Sequence, residues 1–173
     1  IQSCIFPSDQ PACEELIYDE QGLTAGAADW TEARLAWTFA GDGCDFLKTA
    51  FSDESTCDPL VVFLNSRHDT AAQLEGELWF GTDALTDAEG YRTFLHGLGH
   101  ALVRQRSDHF VYQNESGAVE EFIADLVSML ATRPTTWVVD AGHRDERNIT
   151  DPTAARDNPS TYADLRKGPF DNG

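Results

Sequence analysis

The chain is 173 residues long, enough for one good-sized domain and the start of another. Hydrophobic residues make up 41%, and four tryptophans and ten phenylalanines are among the aromatics, which excludes a disordered chain. The formal net charge of −18, from 30 acidic against 12 basic residues, argues against nucleic acid and anionic membranes as partners. No apolar run approaches the roughly 18 residues that a membrane-crossing helix needs.

No signal peptide stands at Ile1, as expected of a mature, trimmed product or of a cytosolic protein. Residues 1–26 read as loop, broken by Pro7, Pro11, Gly22 and Gly26. The four cysteines, Cys4, Cys13, Cys44 and Cys57, all fall in the first third and show no Cys-x-x-Cys spacing, which argues against a structural zinc knuckle. Local pairing, Cys4 with Cys13 and Cys44 with Cys57, is the expectation, and disulfides favour a secreted or periplasmic protein. Four buried thiols are the alternative.

A helix is predicted over Ala27–Ala40, with Trp30, Ala33 and Trp37 on one stripe and Gly41 and Gly43 as stops. Pro59–Leu64 is short, apolar and β-branched, and reads as a buried strand; Glu77–Phe80 reads as a second, ended by Gly81. Thr86-Asp87-Ala88-Glu89 has the form of a capping box. After it Tyr91, Phe94, Leu95, Leu98, Ala101 and Leu102 recur at helical spacing. A loop around Ser107–Glu115 leads to a second strong helix, whose stripe is Val119, Phe122, Ile123, Leu126, Val127 and Leu130, with Pro134 beyond its end. Residues 133–173 read as mostly irregular.

His96 and His100 lie four apart in the first strong helix, so both imidazoles occupy one face, one turn apart. Two such histidines can hold one metal ion, given a third protein ligand and an open position. Glu121 on the next helix is a candidate ligand, and Asp125, one turn on, suits a carboxylate that supports a ligand histidine. Taken alone, a histidine on an apolar helix is more often a satisfied core residue than a ligand. His68, His109 and His143 fall in predicted loops, with His109 kept as a weak candidate for the same cleft. No Gly-x-Ser-x-Gly run supports a serine nucleophile.

His96-Gly97-Leu98-Gly99-His100, the run from Val111 through Tyr112-Gln113-Asn114-Glu115-Ser116-Gly117 to Glu121, and Phe122-Ile123-Ala124-Asp125 together resemble the thermolysin family of zinc metallopeptidases. The likeness is strong over roughly residues 86–131, with weaker echoes at Ala28-Asp29-Trp30, at Arg147–Pro152 and at Phe170–Gly173. The resemblance implies His96, His100 and Glu121 as zinc ligands, with Asp125 behind a histidine. It implies Tyr112 as a donor to the transition-state oxyanion and Arg147 as a substrate-cleft residue.

Three departures qualify it. Gly97 stands where the family has the glutamate that takes a proton from water and passes it to the leaving amine. Natural decay, an engineered change, or a close backbone approach that only glycine permits would each put glycine there. Glu120, where the family has asparagine, is not expected to replace the missing base. The chain ends at Gly173, before the family's next histidine and closing helical domain. Arg92 and Thr132 occupy positions where the family places calcium-binding carboxylates, so calcium is not expected at that site, and the Arg92 guanidinium is a candidate stand-in for the ion's charge.

The expected fold is α+β, like a thermolysin N-terminal domain, with a sheet packed on the helix of His96 and His100. Residues 1–132 would form that domain, and 133–173 a segment leading towards a missing helical one. Glu77–Phe80 is expected as the edge strand of the cleft, open to strand addition by a peptide. The expected function is that of a secreted, zinc-binding peptidase-like domain, dead or strongly impaired at Gly97. An active endopeptidase with an altered glutamate and a separate C-terminal half, and a metal-free interaction module, are the alternatives. Expected partners are a peptide or protein in the cleft and that C-terminal half, with neither nucleic acid nor membrane.

Overall fold

The computed structural model describes residues 2–5, 16–19, 22–23, 31–53, 55–57, 60–66, 72–74, 77–86, 89–107, 114–133, 138–139 and 147–148. Three short strands open the chain: β1 (Gln2–Ile5), β2 (Leu16–Asp19) and β3 (Gly22–Leu23). Helix α1 (Thr31–Phe51) leads to β4 (Val61–Ser66), β5 (Ala72–Leu74) and β6 (Glu77–Gly81). Helices α2 (Gly90–Arg106) and α3 (Asn114–Thr132) follow, then a small ladder of β7 (Val138–Val139) and β8 (Arg147–Asn148).

The strands form a six-stranded sheet in the order β3-β2-β1-β4-β6-β5. β1–β4 and β4–β6 are parallel and the other pairs antiparallel. Residues 1–26, expected to be loop, thus supply half of the sheet. Their strands span no more than four residues each, too short for periodicity to announce them, and β1 enters the sheet beside a strand far along the chain, as in Gln2 beside Val61.

The expected edge strand is also corrected. β6 is internal, and the edge is β5, antiparallel to it and joined to it through residues 75–76. β6 alternates as a half-buried strand should, with Leu78 and Phe80 turned into the core. That core joins Leu47 of α1, Leu64 of β4, Leu78 and Phe80 of β6, and Phe94 and Leu98 of α2. The Phe80 and Phe94 rings stack with centroids 5.4 Å apart, which fixes α2 over β6.

α1 runs eleven residues past its predicted end at Ala40. Gly41 and Gly43 do not stop it, because tertiary packing overrides their weak propensity. Gly43 is a contact point with α2: a Cβ there would lie 2.8 Å from Leu98 Cδ2 and 3.3 Å from Leu95 Cδ2. The helix stops instead at Ser52, whose φ of 53° is left-handed, and the Asp53 N–H reaches back to Leu47 O at 3.3 Å. The predicted capping box is not formed either. The N-cap Glu89 makes no side-chain cap bond, and Thr86 Oγ1 donates to Asp83 O at 2.8 Å within the preceding turn.

The predicted Cys44–Cys57 disulfide is present and ties α1 to a 3-10 turn at Ser55–Cys57. A loop of this size is worth about 3 kcal/mol through the restricted unfolded chain. Cys13, and with it the predicted Cys4–Cys13 pair, lies outside the described residues. Among the described residues no helix is long and apolar enough to cross a membrane.

Asp53 secures the same corner. It accepts from Ser55 Oγ at 2.8 Å, from Thr56 N at 3.2 Å and from the Arg106 guanidinium at the end of α2. Burial alone would raise its pKa, but the bonds from Thr56, Ser55 and Arg106 prevail and hold it near 2, below the ordinary 3.8. A folded value below the unfolded one stabilises the fold above about pH 4 and ceases to do so as pH falls through about 2. Asp53→Asn should therefore melt below the wild type at pH 6, with the gap closing between pH 4 and pH 2. A gap independent of pH would contradict this role.

Candidate metal centre

α2 is held between the sheet and α3, and its outward stripe faces α3. The two helices approach closely at Gly99, where a Cβ would lie 2.6 Å from Ala124 Cα and 3.2 Å from Ala124 O. Because the obstruction is backbone, only glycine admits this separation. It lets side chains one turn apart on α2 meet carboxylates on α3.

His96, His100 and Glu121 come together there, each offering a ligand atom within 4.8 Å of the others. His96 Nε2 and His100 Nε2 are 3.0 Å apart. Glu121 Oε2 is 3.4 Å from His96 Nε2, and its Oε1 is 3.4 Å from His100 Nε2. Ligand atoms around a tetrahedral zinc, with bonds of about 2.0–2.1 Å, are separated by roughly 3.3–3.4 Å. The donor types and spacing therefore fit zinc with one coordination position left over.

Each histidine is backed by a carboxylate. His96 Nδ1 donates to Asp125 Oδ1 at 2.8 Å, and His100 Nδ1 to Glu120 Oε1 at 3.0 Å. Both rings are thereby fixed with Nε2 towards the centre. Burial lowers the His96 pKa, but the bonds with Asp125 and Glu121 prevail and hold it up at about 9. Burial, and then the positive His96 beside it, push His100 down.

Gly97 is buried beside His96. A Cβ there would lie 3.2 Å from Leu78 Cδ2 and 3.9 Å from Phe80 Cζ. These are side-chain ends, so no close backbone approach requires glycine at this position, in contrast to Gly99. Tyr112 and His109 lie outside the described residues, as do His68 and His143. Arg147 falls in β8, paired with Val139. Arg92 Nη1 bonds Glu89 Oε2 at 3.1 Å on its own helix, an exposed pair of small energetic value.

Glu120 is the site residue that sequence reasoning missed as a partner of the metal centre. The signal was its place beside the ligand and one turn before Ala124, which meets Gly99 of α2. The stripe expected to bury α3 is corrected with it: Val119, Phe122 and Leu130 are 47%, 50% and 37% exposed. The inward face carries Val127 from that stripe together with Glu120, Ala124, Asp125 and Ser128. The carboxylates turn inward because the histidines of α2 satisfy them there.

The chain is 31% identical over 155 residues to a bacillolysin of Bacillus cereus, an alignment covering 78% of this chain and 27% of that protein. Its fold is similar to the solved precursor of protealysin, a metalloproteinase from Serratia proteamaculans. That match has a TM-score of 0.61 and 20% identity, over 76% of this chain and 42% of the other. No protein-family model matches the chain. It spans about a quarter of the length of the curated relative and under half of the solved one.

Proposed function

Since this chain is related to the thermolysin-like metallopeptidases, we propose that it is a zinc-binding, secreted peptidase-like domain whose hydrolytic power is lost or strongly reduced at Gly97. The observation that carries the reading is the convergence of two Nε2 atoms and one carboxylate at tetrahedral spacing. His96, His100 and Glu121 would hold the ion, with Asp125 and Glu120 fixing the histidine tautomers. Bound there, zinc supplies Lewis acidity towards a carbonyl and lowers the pKa of water.

What this chain's residues fail to supply is proton transfer. Glycine at 97 can neither accept a proton nor return one, and a positioned general acid–base is worth about 10²–10⁴-fold. Glu120 does not replace it, because its carboxylate faces the Nδ1 side of His100, away from the centre. An extended peptide would add to the outer edge of β5, the strand next to β6 at the sheet's end. Tyr112 and Arg147 are proposed as oxyanion donor and cleft residue on the resemblance alone. The apolar face of α3 around Phe122 supports a packing partner, which we take to be a C-terminal half in continuity or as a separate chain. The Cys44–Cys57 bridge supports the secreted setting.

Incubating the zinc-loaded chain with casein and mapping products by mass spectrometry tests the reading. No cleavage above that of a His100→Ala control is expected. Turnover at an ordinary peptidase rate would overturn it.

A further inference from the structure

Beyond the ligands, α2 presents His96, His100 and Arg104 at successive turns, and α3 presents Glu120, Glu121 and Asp125 against them. Three of these six, Arg104, Glu120 and Asp125, have no part in holding the ion directly. The Glu120 side chain is fully buried. Its Oε1 accepts from His100 Nδ1 at 3.0 Å and from Arg104 Nε at 3.1 Å. Its Oε2 is equally buried and has no hydrogen-bond partner among the described residues. A carboxylate in this position is costly to bury unless its charge is used.

We infer that Arg104, Glu120 and His100 form a relay that sets the zinc affinity of this chain, with Glu120 as the positioning residue of His100 and Arg104 as its anchor. The inference rests on the proposed zinc site and adds a role to residues outside it. Glu120 acts in two ways. As acceptor it fixes the His100 ring with Nε2 inward. As an anion it raises the electron density of the imidazole and so strengthens its bond to a cation. Arg104, one turn beyond His100 on the same helix, takes the same oxygen and keeps the carboxylate from swinging towards solvent.

The test is zinc affinity, read by competition with a chromophoric chelator, together with the visible spectrum of the cobalt-loaded chain. Glu120→Gln keeps an oxygen for the Nδ1–H and removes the charge. Glu120→Leu removes both. The Leu variant is expected to bind zinc 10–100-fold more weakly, with cobalt bands shifted because the His100 ring is no longer held. The Gln variant is expected to lose about tenfold with its cobalt bands in place. Should Glu120→Leu not fold, Glu120→Gln decides alone: a Kd within twofold of wild type overturns the relay. Wild-type chain that binds no zinc would overturn the underlying site as well, and that failure is visible before any variant is made.

Discussion

In the zinc-loaded chain, Gly97→Glu is expected to hydrolyse an unstructured peptide about 10²–10⁴-fold faster than Gly97→Gln, the range contributed by a positioned general acid–base. Position 97 follows His96 in α2 and looks towards β6. Any side chain there must displace Leu78, whose Cδ2 would be 3.2 Å from the new Cβ and which is itself fully buried. The shift needed is a few tenths of an ångström, at the end of a flexible side chain. Both variants bear it equally, and they match in size, so their ratio isolates the proton-accepting carboxylate. If Gln and Glu are equally silent, a further defect lies in the cleft beyond position 97. A Gly97→Gln rate equal to that of an active Gly97→Glu would show that no base is needed at this position.

Gly99→Ala is expected to damage the fold and the site together. Its Cβ would stand 2.6 Å from Ala124 Cα, and backbone cannot rotate away as a side chain can. Relief requires α3 to move off α2, at a cost of about 1–3 kcal/mol for overpacking. For a chain of this size that lowers the melting temperature by roughly 2–4 °C per kcal/mol. The same movement draws Glu121, Asp125 and Glu120 away from the histidines, so zinc should bind more weakly in proportion. Gly41→Ala is the control of opposite sign. It lies in α1, exposed, with nothing within 4 Å of a Cβ, and should stabilise by up to about 1 kcal/mol. Calorimetry with and without zinc reads both effects. Unchanged melting in Gly99→Ala would mean that α2 and α3 are not so closely apposed.

The parts of this molecule that could be read from sequence are those whose evidence is local and repeated. α2 and α3 carry several turns of helical periodicity, and the His96–His100 spacing states its own geometry. The Cys44–Cys57 pair, close in sequence, was legible for the same reason. The short strands were not, because β1 and β2 exist through long-range pairing with β4 and with each other. β5 could have been found: a Glu75-Gly76 pair separates it from β6, the two-residue spacing that hairpins favour. Missing it placed the sheet edge one strand too early.

Helix faces show a different limit. Periodicity in α3 identified a helix but chose the wrong face in part, since Phe122 is half exposed while Glu120 is fully buried. Hydrophobicity alone cannot foresee this, because charged residues enter a core only when a partner elsewhere in the chain accepts them. Those partners are His96, His100 and Arg104 on α2. Glycine is equally ambiguous in sequence. Gly97 and Gly99 lie two apart in one helix, yet backbone packing demands glycine only at Gly99. Likewise Gly43 looked like a helix stop and is a helix contact.

Zinc content is the most direct test of the metal centre. The full chain, dialysed against metal-free buffer after zinc loading, is analysed for metal beside a His100→Ala variant treated alike. About one zinc per wild-type chain and none in His100→Ala is the predicted result. No zinc in either, from folded protein, would contradict the site and leave the convergence of His96, His100 and Glu121 as a structural contact only.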